Sequence, residues 1–206
     1  MTAPTLVDHP TGDPIATVVF AHGAGAGMEH PWMASVAGEL AARGLLVVRF
    51  EFPYMAARRK GRRPGPDRMP KLVACMRDVL ARQTGPIVLA GKSMGGRVAT
   101  MLVDDCDAVG AIAFGYPFHP PGKPDVLRTA HLETLRTPLL ILQGERDPFG
   151  QPAEVSAYEL SRAVEVQWLP DGDHSLKPRK ASGFTPEQHL ATAAAAAAAF
   201  VRRRLG

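Results

Sequence analysis

A serine lies at the centre of the segment Gly91-Lys-Ser-Met-Gly-Gly, which fits the pattern G-x-S-x-G. The segment follows an apolar run at 86–90, typical of a buried strand, and precedes a helical pattern over Met94–Leu102. Between a strand and a helix this pattern is a nucleophile elbow, and the positive end of the helix favours a developing oxyanion there. We therefore predict that Ser93 is a nucleophile. A tight glycine-rich turn without chemistry is the alternative.

A second glycine-rich segment, His22-Gly-Ala-Gly-Ala-Gly, follows the first strong apolar run. It lacks both the Lys-Ser/Thr ending and the G-x-G-x-x-G spacing of phosphate-binding loops. Its small side chains would let the backbone approach a substrate, as in an oxyanion hole. We predict that the backbone N–H groups of Ala24 and Met94 form this hole. We expect His22 to brace the loop by hydrogen bonding.

A candidate base and its carboxylate partner follow two later apolar runs. Glu145 and Asp147 come after the run at 138–142, and His174 comes after Val164–Leu169. A histidine can take the proton of a serine hydroxyl while a carboxylate orients the imidazole. Taken singly, each of these residues could instead be a turn residue or a structural histidine.

Apolar runs and helical patterns alternate along the chain. Continuous apolar strands between helices indicate a parallel sheet covered on both faces, with ligands bound beyond the carboxyl ends of the strands. The predicted strands are Ala16–Ala21, 45–52, 86–90, 109–114, 138–142 and Val164–Leu169. The predicted helices are 31–43, 70–82, Met94–Leu102, 152–161 and Pro186–Leu205, with an irregular loop at 53–70.

These motifs resemble those of α/β-hydrolases, within them the dienelactone-hydrolase-like group. More narrowly, the chain is similar to the small family that includes the testis-expressed-thirty protein and the hydrolase-like domain of the NSL complex subunit three. The matching stretches are His22-Gly-Ala-Gly, Arg49-Phe-Glu-Phe-Pro-Tyr, Gly91-Lys-Ser-Met-Gly-Gly-Arg, Gly115-Tyr-Pro-Phe-His-Pro-Pro and Asp173-His-Ser-Leu-Lys.

The resemblance implies a three-layer α/β-hydrolase fold, with a mostly parallel sheet of about six strands and helices on both faces. It also implies a triad in the order Ser93, Asp147, His174, because the family pattern G-x-x-D selects Asp147 over Glu145. True dienelactone hydrolases have cysteine where this chain has Ser93, so that activity is not expected. The span between Phe114 and Pro138 is too short for a large lid.

Composition is consistent with one globular domain over residues 1–206. Two cysteines, Cys75 and Cys106, are too few for a disulfide framework, and no Cys/His cluster suggests zinc. We therefore expect no cofactor and no metal. The first residues lack a signal-peptide pattern and no apolar run is long enough to span a membrane, so we expect a cytoplasmic protein without a membrane partner.

The chain has a net charge of +4, and its excess of basic residues is concentrated in two stretches. Residues 55–66 and 174–186 hold eight Lys and Arg and no acidic residue, which leaves 16 basic against 20 acidic residues elsewhere. Both stretches follow strands and should flank the site. A solvated basic loop is one explanation, and nucleic acid is disfavoured because aromatic residues are not interleaved. The sharper hypothesis is recognition of an anionic substrate. Its candidate binding residues are Arg58, Arg59, Arg62, Lys92 and Lys177.

Together these features predict a serine hydrolase, a carboxylesterase or thioesterase, that acts on a small soluble acyl ester or thioester through an acyl-enzyme. The alternative is a non-catalytic α/β-hydrolase-like module for protein interaction. The oligomeric state is not predicted.

Overall fold

The computed structural model describes residues 2–206, whose strands form one seven-stranded sheet in the order β1-β3-β2-β4-β5-β6-β7. The strands are β1 (Thr5–Asp8), β2 (Ala16–Ala21), β3 (Leu45–Phe50), β4 (Ile87–Lys92), β5 (Gly110–Phe114), β6 (Leu139–Gly144) and β7 (Val164–Leu169). Strands β2 to β7 pair in parallel, and β1 pairs antiparallel with β3 at the edge. The α/β fold class is confirmed.

Helices cover both faces of the sheet. They are α1 (Pro31–Ala41), α2 (Pro53–Arg59), α3 (Met69–Leu80), α4 (Met94–Leu102), α5 (Pro152–Val155) and α6 (Pro186–Leu205). Because successive strand residues point to opposite faces, Val19 packs with α3 and α4 while its neighbour Val18 packs with α1 and α6. Two apolar cores therefore enclose the sheet.

The alanine-rich stretch of α6 is buried against α1. Ala193, Ala194, Ala197 and Ala198 are fully buried in the same core as Val36. Alanine has the highest helix propensity and a small side chain, so this low-complexity stretch forms a closely packed helix. No helix within residues 2–206 is long and apolar enough to cross a membrane.

The structure corrects the sequence-based elements at three places. It adds β1, which is only four residues long and alternates between exposed and half-buried. It places α2 inside the stretch predicted as an irregular loop, because Pro53 suits the first helical turn and Tyr54 and Met55 are buried. It ends α5 at Val155, beyond which irregular backbone packs against the core.

The connection between β5 and β6 is short. Residues 115–138 hold a 3-10 helix at Ala130–Leu132 but no α-helix in the described chain. The site at the carboxyl ends of the strands therefore has no large lid.

Candidate functional site

Ser93 lies on a strained turn between β4 and α4. Its φ of 51° and ψ of −113° are unfavourable for a residue with a side chain. The turn is tight enough that a Cβ on Gly95 would lie 2.5 Å from the Ala21 carbonyl oxygen, and one on Gly96 would lie 2.9 Å from Ala113 Cβ. Only glycine fits at these two positions. The turn thus holds the serine hydroxyl at the positive end of α4.

The structure brings Ser93, His174 and Asp147 into one hydrogen-bonded chain. His174 Nε2 lies 2.8 Å from Ser93 Oγ, and His174 Nδ1 lies 2.8 Å from Asp147 Oδ2. Because a carboxylate only accepts, Nδ1 carries the proton and Nε2 is free to accept from the hydroxyl. This arrangement could deprotonate the serine as it attacks an electrophile.

Asp147 is fully buried and held on both carboxylate oxygens. Gln143 donates from Nε2 to Oδ2 at 2.9 Å, and the Phe149 backbone N–H donates to Oδ1 at 2.9 Å. The Gln143 side-chain oxygen also accepts from the Tyr116 N–H at 2.7 Å. Gln143 therefore fixes the carboxylate that orients His174.

Side chains from three different elements hold the loop that carries His174. Lys92 donates to the His174 carbonyl, Trp32 Nε1 donates to the Ser175 carbonyl at 2.9 Å, and His189 Nδ1 donates to the Leu176 carbonyl at 2.9 Å. The Lys92 ammonium also lies 5.4 Å from the centre of the Trp32 ring. Three consecutive carbonyls are thus anchored to β4, α1 and α6.

Lys92 makes a contact within the protein that its predicted substrate-binding role did not include. We predicted that it binds substrate, but its ammonium group is directed at the His174 carbonyl. The cause is its place as the last residue of β4, with its side chain lying beside the loop that follows β7. Burial lowers the pKa of Lys92 to about 8. This contact positions the His174 loop, and the predicted substrate contact of Lys92 stays a prediction.

The imidazole of His174 is covered on one side by Phe149. The two ring centroids lie 4.2 Å apart, with an angle of 30° between the ring planes. Burial lowers the pKa of His174, the hydrogen bond to Asp147 opposes that shift, and the Lys92 charge adds to it. His174 is therefore neutral near pH 7, which is the state that a general base needs.

The glycine-rich loop lies beside the serine. A Cβ on Gly23 would lie 3.7 Å from Ser93 Cβ. His22 braces this loop from both ring nitrogens, because Nδ1 donates to the Gly23 carbonyl at 2.7 Å and Nε2 accepts from the Phe52 N–H at 3.1 Å. The Tyr54 hydroxyl reaches the Gly23 and Ala24 carbonyls at 3.2 and 3.0 Å.

The two N–H groups predicted to form the oxyanion hole make no hydrogen bond to other groups of the described chain. Within residues 2–206, neither the Ala24 nor the Met94 backbone N–H donates a hydrogen bond to a protein acceptor. Met94 is the first residue of α4, so its N–H has no partner within the helix. Both groups remain available to a substrate oxygen.

The first basic loop, at residues 55–66, borders the glycine-rich loop at residues 22–27, which we call the oxyanion loop. A depression of about 450 Å³ is shared by Gly25–Gly27, Arg58 and Arg59, among others. Arg59 is already paired there, with its guanidinium 2.6 Å from buried Glu51 and 2.8 Å from Glu29, and these carboxylates raise its pKa. Its charge is compensated inside the protein.

Three other predicted anion-binding residues have no carboxylate partner among the described residues. Arg58 donates to the Pro64 carbonyl at 2.9 Å, and together with Arg62 and Arg63 it lines a depression of about 530 Å³. Lys177 is exposed on the loop after His174. Arg58 lines both depressions and so connects Arg62 with the oxyanion loop.

Comparison with known families decides the identity of the domain. Residues 14–202 match a family described as an alpha/beta hydrolase domain. The chain belongs to this alpha/beta hydrolase family. The match covers every element from β2 to β7 and most of α6, including the whole serine, histidine and aspartate arrangement.

Three solved structures share the fold of this alpha/beta hydrolase. An esterase domain from Rhodothermus marinus has a TM-score of 0.71 and 18% identity, covering 100% of both chains. An α/β serine hydrolase without lid from Xanthomonas campestris has a TM-score of 0.70 and 20% identity, covering 98% of this chain and 94% of that one. A dienelactone hydrolase from Anabaena variabilis has a TM-score of 0.68 and 19% identity, with 97% and 90% covered.

Several residues of this candidate site were not identified from sequence. Gln143 directly precedes the G-x-x-D segment, and a polar residue at the end of an apolar run was a usable signal. Trp32, His189 and Phe149 come from distant parts of the chain and carry no motif. Their contacts with the His174 loop depend on the packing of α1, α6 and the loop after β6.

Proposed function

We propose that this chain is a serine hydrolase, a carboxylesterase or thioesterase that acts on small acyl substrates. The observation that carries the proposal is the continuous hydrogen-bonded chain from Ser93 through His174 to buried Asp147. It is supported by the strained turn at Ser93 and by the free N–H groups of Ala24 and Met94 beside it. The site belongs, in this proposal, to a single domain over residues 1–206.

The reaction begins when Ser93 Oγ attacks the acyl carbon while His174 Nε2 takes the hydroxyl proton. The resulting imidazolium is stabilised by Asp147, which keeps its negative charge. The oxyanion is held by the N–H groups of Ala24 and Met94. The imidazolium then protonates the departing alkoxide or thiolate, which leaves an acyl-enzyme on Ser93. Water activated by the same histidine hydrolyses this ester.

The charges around the site favour a substrate with an anionic group. Arg58 lies beside the oxyanion loop and shares a second depression with Arg62. Neither arginine has a carboxylate partner among the described residues, whereas Arg59 is paired with Glu51 and Glu29. Free guanidinium groups at a cleft raise the local concentration of anions and so increase the rate of encounter.

Hydrolysis of short p-nitrophenyl esters tests the proposal. Ser93→Ala should lower kcat/KM by about 10³-fold or more, because the nucleophile is lost. Ser156→Ala, which removes an exposed serine hydroxyl bonded only to the Ala153 carbonyl, is the matched control and should retain full activity. Equal activity of the two variants would rule out Ser93 as the nucleophile.

The anionic preference has its own test. Arg62→Gln should raise KM for a hemisuccinate ester several-fold and leave KM for the matched neutral ester unchanged. Equal effects on both esters would remove the anionic preference without affecting the assignment of Ser93.

A further inference from the structure

A cluster of two arginines and a histidine, separate from the basic stretches at 55–66 and 174–186, lies between α4 and the connection from β5 to β6. Arg97 and Thr100 belong to α4, and Thr100 Oγ1 donates to the Arg97 carbonyl at 2.9 Å and lies 2.9 Å from His131 Nε2. The Tyr116 hydroxyl donates to the Arg128 carbonyl at 2.8 Å and lies 3.5 Å from the same nitrogen. These contacts bring the main chain of Arg97 and of Arg128 and the ring of His131 together around two buried side chains.

The positive charge of this cluster has no counter-charge. Within residues 2–206, no carboxylate lies within 4 Å of the Arg97 or Arg128 guanidinium, and neither group donates to a protein acceptor. Arg97 Nε is buried without a hydrogen-bond partner. Burial and the Arg97 charge lower the pKa values of both Arg128 and His131.

Two other arginines of this chain are paired with carboxylates. Arg49 contacts Asp8 at 2.8 Å, and Arg59 contacts buried Glu51 at 2.6 Å. A buried donor without an acceptor is costly, so natural structures rarely leave one unsatisfied. The charge of Arg97, which adds to burial in lowering the pKa of Arg128, is a second cost. An anion from outside the chain would supply the missing acceptor and charge.

We propose that Arg97, Arg128 and His131 form a binding site for a carboxylate or phosphate group, distinct from the basic loop at 55–66. Guanidinium groups recognise both anions through paired, charge-assisted hydrogen bonds. Arg97 lies one helical turn after Ser93, and Tyr116 directly follows Gly115, where a Cβ would lie 2.6 Å from the His174 carbonyl oxygen. The helix and the connection that carry the proposed site therefore adjoin the candidate active site.

Two sources can supply such a group. It is either the far end of an acyl substrate or a separate small anion that binds beside the substrate. The first source rests on the proposed hydrolase function, whereas binding of the anion itself does not.

Titration with inorganic phosphate, followed by thermal unfolding and calorimetry of the intact protein, tests the site. Phosphate should stabilise the wild-type protein, and Arg97→Gln and Arg128→Gln should each weaken its binding about tenfold or more. Arg162→Gln removes one exposed charge and serves as the matched control for net charge. This control should bind phosphate like the wild-type protein.

Unchanged phosphate binding in both Arg97→Gln and Arg128→Gln would overturn the proposal, as would equal weakening in Arg162→Gln. Assays of ester hydrolysis distinguish the two sources. Phosphate that inhibits hydrolysis of a hemisuccinate ester competitively, and no longer inhibits it in Arg97→Gln, supports a substrate subsite. Phosphate that binds without competing supports a separate anion. Should Ser93 prove unreactive, the titration still decides whether the site exists.

Discussion

The ammonium group of Lys92 donates a hydrogen bond to the main-chain carbonyl of His174. The residue that precedes the candidate nucleophile in β4 therefore fixes the loop that carries the candidate base. Trp32 and His189 hold the next two carbonyls of that loop, and Leu176 adopts a left-handed φ of 62° within it. The position of the imidazole is thus determined by strand β4 and by helices α1 and α6.

Lys92→Met should lower kcat about 10- to 100-fold with little change in KM, because the methionine keeps the apolar stem but releases the His174 carbonyl. Removal of the nearby positive charge should also raise the pKa of His174 and move the acidic limb of the pH profile upward. Lys71→Met, at a solvent-exposed lysine of α3, is the control. An unaltered kcat and pH profile in Lys92→Met would show that the contact has no positioning role.

The pH dependence of hydrolysis should follow the deprotonation of His174. Burial lowers the pKa of His174 from its ordinary value of 6.5, and only the neutral imidazole can accept the serine proton. The value of kcat/KM for a neutral ester should therefore rise with pH through an apparent pKa below 6.5 and then reach a plateau. A midpoint above 7 in the wild-type protein would be inconsistent with this electrostatic account.

Gln143 should prove essential for the orientation of Asp147. Gln143→Glu keeps an oxygen acceptor for the Tyr116 N–H but puts a carboxyl group where the amide donates to Asp147. Gln143→Leu removes both contacts. We expect kcat to fall strongly in both variants, and Gln143→Leu should also lose about 1–3 kcal/mol of stability, because a buried N–H is left unsatisfied. Chemical denaturation and ester hydrolysis, measured together, separate the two effects.

The sequence predicted the residues of the candidate triad better than their surroundings. Ser93, Asp147 and His174 each follow a strand, and the register of a parallel sheet brings such positions to one edge. The roles of Trp32, His189 and Gln143 depend on which side chain reaches which carbonyl or carboxylate, and no spacing along the chain encodes that. The narrower resemblance to the testis-expressed-thirty family stays a prediction.

Two fold elements were missed for similar physical reasons. Strand β1 is too short to show a clear alternation, and it is stabilised by pairing with β3 and by the Asp8–Arg49 ion pair. Helix α2 begins within a Pro- and Arg-rich stretch whose composition suggested a loop. Burial of Tyr54 and Met55 against the core provides the tertiary contacts that local composition does not show.

Substitution of a glycine at the site should change the free energy of unfolding in the opposite direction to substitution of a glycine elsewhere. Gly96→Ala should destabilise the fold by at least about 1 kcal/mol, because its Cβ would lie 2.9 Å from both Ala113 Cβ and the Gly91 carbonyl oxygen. Gly38→Ala, in the interior of α1 with nothing within 4 Å of its Cβ, should instead stabilise by about 0.5–1 kcal/mol. Urea denaturation of both variants gives the two free energies. A stabilised Gly96→Ala would contradict the close packing of α4 on the sheet.

Covalent labelling by a fluorophosphonate tests the central claim most directly. We predict that the intact wild-type protein gains the mass of one phosphonyl group and that peptide mapping places it on Ser93. Ser93→Ala should gain no mass, while Ser156→Ala should be labelled like the wild-type protein. Absence of labelling in a correctly folded wild-type protein, or labelling that persists in Ser93→Ala, would contradict the assignment of Ser93 as an activated nucleophile, and absence would favour a non-catalytic interaction module.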